Sequence, residues 1–256
     1  MGELDGKVAI VTGSGRGIGE QVARKLAAEG ARVVVNDLDE DVARTVADNI
    51  AAASYVGDLT APGACEQLVA TAVETFGWVD IVVNNAGYTI DGPLHKVTDE
   101  QLQAMLDIHT IVPFRVLRAA APHLREPAKR DLAEGREVFR KVVNVVSLAG
   151  VMGNPGQSAY AAAKAGAVGL TKSLAKEWGA LRINVNAVAF GLIETRMTAD
   201  LPDAARAALA QHIPLGRGAT ADEAARGIVY LCGPGSDYVH GQVLAVSGGL
   251  AVGMAG

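Results

Sequence analysis

Seven short runs of this chain read apolar at most positions. They are Val8 to Thr12 (VAIVT), Arg32 to Asn36 (RVVVN), Ala53 to Gly57 (ASYVG), Asp80 to Asn84 (DIVVN), Lys141 to Ser147 (KVVNVVS), Ile183 to Ala189 (INVNAVA) and Gln242 to Ser247 (QVLAVS). Longer stretches of helical periodicity separate them. Strands apolar on both faces suit a parallel sheet covered by helices on both sides, so the alternation predicts a repeating βαβ chain of the α/β class. TDEQ from Thr98 and TADE from Thr220 predict helix starts, each with a capping hydroxyl and with Gln101 or Glu223 able to reach back.

At 256 residues, half of them hydrophobic, the chain suits one large core, and no linker or low-complexity tract divides it. One domain over residues 1–256 is expected. The only compositional break is the charged segment 125–141 (REPAKRDLAEGREVFRK), expected to be a solvated helical extension or loop. The first strand starts near Lys7, leaving no room for a secretion signal, and no apolar run approaches the ~18 to 20 residues of a membrane span. A net charge of -5 with scattered Lys and Arg argues against nucleic acid. Cys65 and Cys232 lie far apart with no C-x-x-C, which predicts buried filler, a reduced cytoplasmic setting and no metal. A small-molecule partner remains.

TGSGRGIG, Thr12 to Gly19, falls between the first strand and a helix. Gly13 permits a tight turn, and Gly17 and Gly19 remove side chains where backbone must approach a phosphate at a helix N-terminus. The candidate cofactor residues here are Gly13, Ser14, Arg16, Gly17, Ile18 and Gly19, followed by Asp37 and Leu38 at the end of the second strand. A carboxylate at residue 37 accepts ribose hydroxyls and repels a 2′-phosphate, favouring NAD over NADP. Arg16 argues the other way with less weight.

SAYAAAKAGAVG, from Ser158, sets Tyr160 and Lys164 one helical turn apart on one face. A phenol normally titrates at about 10; an ammonium ~4 Å away at an effective dielectric of ~20 favours the phenolate by about 4 kcal/mol, or roughly three pK units. The lysine is therefore expected to bring the tyrosine toward neutral pH. Ser147 ends the fifth strand and can reach the same edge of the sheet. Taken alone, the Tyr and Lys also fit an ordinary amphipathic helix.

As an ordered set, TGSGRGIG, Asp58 in GDL, NNAG at Asn84 to Gly87, Ser147, YAAAK, INVNAVAFGLIETRM at Ile183 to Met197 and the late VSGG resemble the short-chain dehydrogenase/reductase family from Lys7 to about Leu250. The resemblance implies a single-domain, Rossmann-like, doubly wound parallel sheet of about seven strands with helices on both faces. It implies that Tyr160 is the general acid/base, that Lys164 holds the nicotinamide ribose and that Ser147 orients the substrate. It also implies that Asp58 and Leu59 contact adenine, that Asn85, Ala86 and Gly87 pack on the adenosine side, and that Gly191, Ile193 and Thr195 lie at the nicotinamide.

Three features depart from the family pattern. His109 stands where an asparagine supporting a water relay is usual, with Pro113 expected to kink its helix. Phe190-Gly191 replaces Pro-Gly, expected to add bulk near the nicotinamide. The charged segment is longer than usual.

The mostly apolar stretches 192–215, the substrate loop region, and 148–157 suggest an apolar or acyl substrate. By resemblance a 3-oxoacyl thioester (or 3-hydroxyacyl) substrate comes first and a hydroxysteroid or other cyclic alcohol second; a non-catalytic NAD(H)-binding regulator is the rival of another class. His95, His123, His212 and His240 are expected at the surface. Met152, Met197 and Met254 are candidate pocket residues, and the small-sided helix after Ser158 suits a homodimer or homotetramer.

Overall fold

The computed structural model describes residues 2–199 and 209–252. Strands β1 (Val8–Val11), β2 (Arg32–Asp37), β3 (Ala53–Val56), β4 (Ile81–Asn84), β5 (Arg140–Ser147) and β6 (Ile183–Phe190) join the main sheet, β7 (Ile193–Glu194) and β8 (Ala219–Thr220) pair separately, and β9 (Val243–Val246) closes the main sheet. Its order is β3-β2-β1-β4-β5-β6-β9, all parallel.

The apolar runs have a direct cause in this arrangement. Val8 and Ile10 of β1 enter one core, while Ala9 and Val11 enter the other. The first core is roofed by α3 (Ala64–Phe76), α4 (Asp99–Leu106), α5 (Val112–Ala133) and α7 (Ser158–Trp178); the second by α1 (Gly17–Ala28), α2 (Glu40–Asn49) and α9 (Ala221–Cys232). Both faces are dry, so neither tolerates the polar alternation of a half-exposed strand. Burying each Val or Ile contributes roughly 1.5–3 kcal/mol before the chain's ordering entropy. Thr98 and Thr220 cap α4 and α9 through complete capping boxes.

Strand order reverses between β1 and β4, which opens a crevice outside their carboxyl ends, the place where such sheets take ligands. The short helices α6 (Ala149–Met152) and α8 (Arg196–Ala199) follow β5 and β7 at this edge. The amino edge is locked by charge: Asp80 accepts from Val8 N and Trp78 Nε1, and Asp131 receives Arg136 and the buried Arg140. The charged segment thus continues α5 as far as Ala133 and then ties the turn into β5. Among the described residues no helix is long and apolar enough to cross a membrane.

One local feature differs from the expected proline kink. Between α4 and α5 the chain makes a π-helical turn, Asp107–Ile111, in which Val112 N bonds Asp107 O. Pro113 has no N–H for the His109 carbonyl, so the usual spacing of four fails there.

Candidate active site

The glycine loop follows β1 with Gly13 at φ 61°, and a Cβ there would lie 2.7 Å from Ala86 Cα. At Gly19 a Cβ would lie 2.3 Å from Gly13 O, so the loop closes on itself only with hydrogen at both positions. Ser14 is fully buried, donating to Val11 O at 2.7 Å and accepting from Asn36 N at 3.1 Å; it braces the loop from behind. Thr12 Oγ1 accepts the amides of Asn85 and Ala86, and Asn85 Nδ2 donates to Thr12 O and Gly13 O, each at 2.9 Å. Thr12 and Asn36 were absent from the sequence-derived candidates. Their signal was a polar group at the end of an apolar strand, where only a specific partner justifies burial.

At the end of β2, Asp37 is half-buried and accepts Gly15 N at 3.1 Å and Asp39 N at 3.2 Å. Arg16 turns onto Asp39 at 2.7 Å, and that hydrogen bond holds the Asp39 carboxyl below its usual range. Gly17 and Ile18 open α1, and Leu38 is exposed beside Asp37. Asp58 accepts from both the amide and hydroxyl of Thr60, while Leu59 sits in the core. Of that pair only Asp58 presents a side chain at the surface.

On α7, Tyr160 is half-buried and Lys164 is 4% exposed. Lys164 Nζ donates to Val145 O at 2.7 Å and lies 5.7 Å from the Tyr160 ring centroid, over its face. This corrects the expected electrostatics. Burial pushes the Tyr160 phenol above 10, hydrogen bonding with Ser147 pulls it down and Asp91 adds to the rise. Burial alone brings Lys164 down to about 7. The ammonium bonds the Val145 carbonyl and is itself desolvated, so desolvation exceeds the attraction inferred from spacing. Ser147, half-buried at the end of β5, accepts Ala149 N at 3.2 Å. A Cβ at Gly150 would fall 2.6 Å from Lys164 Cβ, which shows how closely α6 lies against α7.

His109 is 2% exposed, its Nε2 2.6 Å from Tyr88 O and its ring 5.0 Å from that of Tyr160 at 87°. The structure therefore brings Ser147, Tyr160, Lys164 and His109 together, with Gly87 against the His109 ring.

At the β6 corner, Phe190 is 6% exposed and packs into the core beneath α1, α2 and α9, which corrects the expectation of bulk near the nicotinamide. Residue 190 points to the far face because strand side chains alternate. Gly191 N donates to Val246 O, Ile193 is buried in β7, and Thr195 N donates to Thr198 Oγ1. Positions 200–208 of the substrate loop region, and Met254, lie outside the described residues. His240 is not a surface histidine: half-buried, it bonds Ala175 O and accepts Val185 N, joining α7 to β6. Burial pushes the Cys65 and Cys232 thiols up to about 11 and about 12.

A family model described as enoyl-(acyl carrier protein) reductase matches residues 13–251. The 3-oxoacyl-(acyl-carrier-protein) reductase FabG of Thermotoga maritima is 36% identical over 254 residues, covering 97% of this chain and 99% of its own. The corresponding proteins of Vibrio cholerae and Escherichia coli are 38% identical over 255 and 249 residues, covering 96% of this chain and 98% of theirs.

Proposed function

The chain belongs to the short-chain dehydrogenase/reductase family, and on that premise we propose that it reduces a 3-oxoacyl thioester, or runs the reverse oxidation, with a nicotinamide cofactor. The observation that carries the reading is the pair of hydroxyls, Ser147 and Tyr160, gathered over the buried Lys164 at the carboxyl edge of the sheet. Two donors meeting at one point suit an oxygen that gains a proton. A ketone carbonyl fits this arrangement, and the full-length relatives named as 3-oxoacyl reductases favour that reaction over the one in the family model's description.

The residues present fit the cofactor. A Cβ at Gly13 or Gly19 would fill the loop before α1, and the N-terminus of that twelve-residue helix suits a pyrophosphate. Residues Gly13 to Gly19, Asp37, Asp58, Ala86 and Lys164 would hold it, and when bound it supplies or accepts the hydride. Asp37, with Arg16 already committed to Asp39, favours NAD over NADP.

In reduction the ketone oxygen accepts a hydrogen bond from Ser147 and a proton from Tyr160. The Tyr160 proton is present at neutral pH because burial keeps the phenol above 10. Lys164 then faces the phenolate that remains, at the moment when its own proton is most favourable. Tyr88 in the loop after β4 and Val151 and Met152 in α6, the segments that follow the strands carrying the site, are exposed apolar side chains, which supports an acyl chain as the group bound beyond the carbonyl. Assembly as a homodimer or homotetramer through the exposed Ala162, Ala165 and Gly169 of α7 belongs to the same reading, and a single-chain mass in sedimentation would remove it.

The test is a substrate panel with NADH: acetoacetyl thioesters against cyclic ketones and steroids. Preferential turnover of the thioesters supports the assignment. Preference for the cyclic ketones selects the other substrate class, and NADH binding without any turnover selects the regulator.

A further inference from the structure

His109 takes no part in the chemistry above, yet it is more deeply buried than Ser147 or Tyr160. Its π-helical turn is anchored to the helix that carries Tyr160: Thr110 Oγ1 donates to Ala163 O at 2.7 Å, and a Cβ at Gly166 would lie 2.8 Å from Thr110 Oγ1. On the other side the turn reaches the loop after β4. A carbonyl only accepts, so the 2.6 Å contact with Tyr88 O requires the proton on Nε2. The ring meets Tyr160 in a T-shaped contact, and a Cβ at Gly87 would fall 2.3 Å from His109 Cε1. Among the described residues Nδ1 finds no hydrogen-bond partner.

We propose that His109 is a positioning residue for the reaction assigned above: its Nε2–H, bonded to the Tyr88 carbonyl, and its ring, set against Tyr160, fix the phenol's alignment relative to the loop after β4. The inference rests on Tyr160 being the proton donor. A π turn gives the geometry a cause, since it carries residue 109 inward between the loop after β4 and α7, two elements that Asp91 and Gln157 also join at 3.0 Å nearer the surface. Burial, and then the nearby Lys164, push His109 down to about 2, so it stays neutral and does not itself carry protons between the site and solvent. It acts through Tyr160, and misalignment by about 1 Å is enough to slow a proton transfer ~100-fold.

The experiment compares His109→Gln, His109→Asn and His109→Ala in acetoacetyl thioester reduction, with NADH affinity measured by fluorescence titration. A glutamine amide nitrogen reaches the depth of Nε2, whereas an asparagine amide reaches only that of Nδ1. Expected is kcat within ~10-fold of wild type for His109→Gln, and loss of ~100-fold for the other two, with KM and NADH affinity within ~3-fold. Wild-type turnover in His109→Ala overturns the proposal, as does His109→Asn outperforming His109→Gln, His109→Gln failing as badly as alanine, or NADH affinity falling in step with kcat. Where the variants do not fold, 15N NMR of the wild-type imidazole decides: a neutral Nε2–H tautomer at about pH 6 supports the assignment, and an imidazolium or Nδ1–H signal overturns it. Tyr160→Phe separates the two levels. If that variant keeps wild-type turnover, the proton-donor reading has failed; if it is dead while His109→Ala is unimpaired, only the positioning role has.

Discussion

Lys164 sets its ammonium over the face of the Tyr160 ring, 5.7 Å from the centroid, and bonds the Val145 carbonyl instead of the phenol oxygen. Burial, not the lysine, decides the phenol and holds it above its usual range, which agrees with the proposed role of Tyr160 as the group that gives a proton to a substrate oxygen.

Tyr160→Phe is expected to bind NADH as the wild type does and to lose ketone reduction by about 10³-fold, within the usual span for a general acid. The sign of the pH dependence follows from burial. Reduction needs the protonated phenol, whose titration is raised above 10, so kcat/KM should hold through neutral pH and fall only at the alkaline end. Steady-state rates from about pH 6 to 11 check this; a falling limb centred well below 9 assigned to Tyr160 contradicts it.

Lys164 gives a stability prediction of opposite character. Folded, it titrates at about 7 against an ordinary 10.5, so the unfolded chain holds the proton more tightly. Its unfavourable contribution is complete below pH 7 and is relieved as pH rises from 7 to 10.5, by about 1.4 kcal/mol per unit. Lys164→Met should be inactive yet more stable than wild type, most clearly at about pH 6, with the gap closing toward alkaline pH. Urea unfolding at several pH values measures it, and a variant less stable at pH 6 than at pH 9 relative to wild type refutes the argument.

The proposed preference for NAD rests on three side chains, Asp37, Asp39 and Arg16. Asp37 occupies the loop amide of Gly15, and Asp39 holds Arg16. Removing the first carboxylate lifts a repulsion, and removing the second releases a cation. Asp37→Ala should raise the NADPH to NADH ratio of kcat/KM about 10-fold, and adding Asp39→Ala should raise it again. A wild type that already prefers NADPH reverses the NAD assignment.

The strands were legible because both faces of the sheet are dry, and the capping threonines because their chemistry is local. Ser147, Tyr160 and Lys164 converge as their spacing implied. What the chain did not reveal depended on depth or direction. A strand apolar on both faces does not say which face Phe190 takes, and it takes the one away from the crevice. Spacing placed Lys164 near Tyr160 but carried no information on desolvation, which reversed the sign of the expected shift. The π turn at His109 arises from one missing amide, at Pro113, and leaves no mark in hydrophobic periodicity. His240 reads as a surface residue because its partners, Ala175 and Val185, are far away in sequence.

The charged segment supplies a last prediction, far from the chemistry. Asp131 joins Arg136 at 2.7 Å and Arg140 at 2.8 Å, and the Arg140 side chain is only 7% exposed. Burial pushes the Asp131 carboxyl up, but the hydrogen bonds from Arg136 and Arg140 outweigh it and hold it below its ordinary range. Its stabilising contribution is therefore present above about pH 4 and lost as pH falls through the lowered value. Asp131→Asn leaves a buried guanidinium with Asp80 only at 4.0 Å, and should cost about 3 kcal/mol. Arg136→Ala, at an exposed position, should change little. Because both partners lie at the amino edge of the sheet, kcat should be unaffected at temperatures where the variant is folded. Asp131→Asn combined with Arg140→Met removes the orphaned charge and should recover most of the loss in urea unfolding; a double variant as weak as the single would show that the carboxylate, and not the unpaired arginine, sets the penalty.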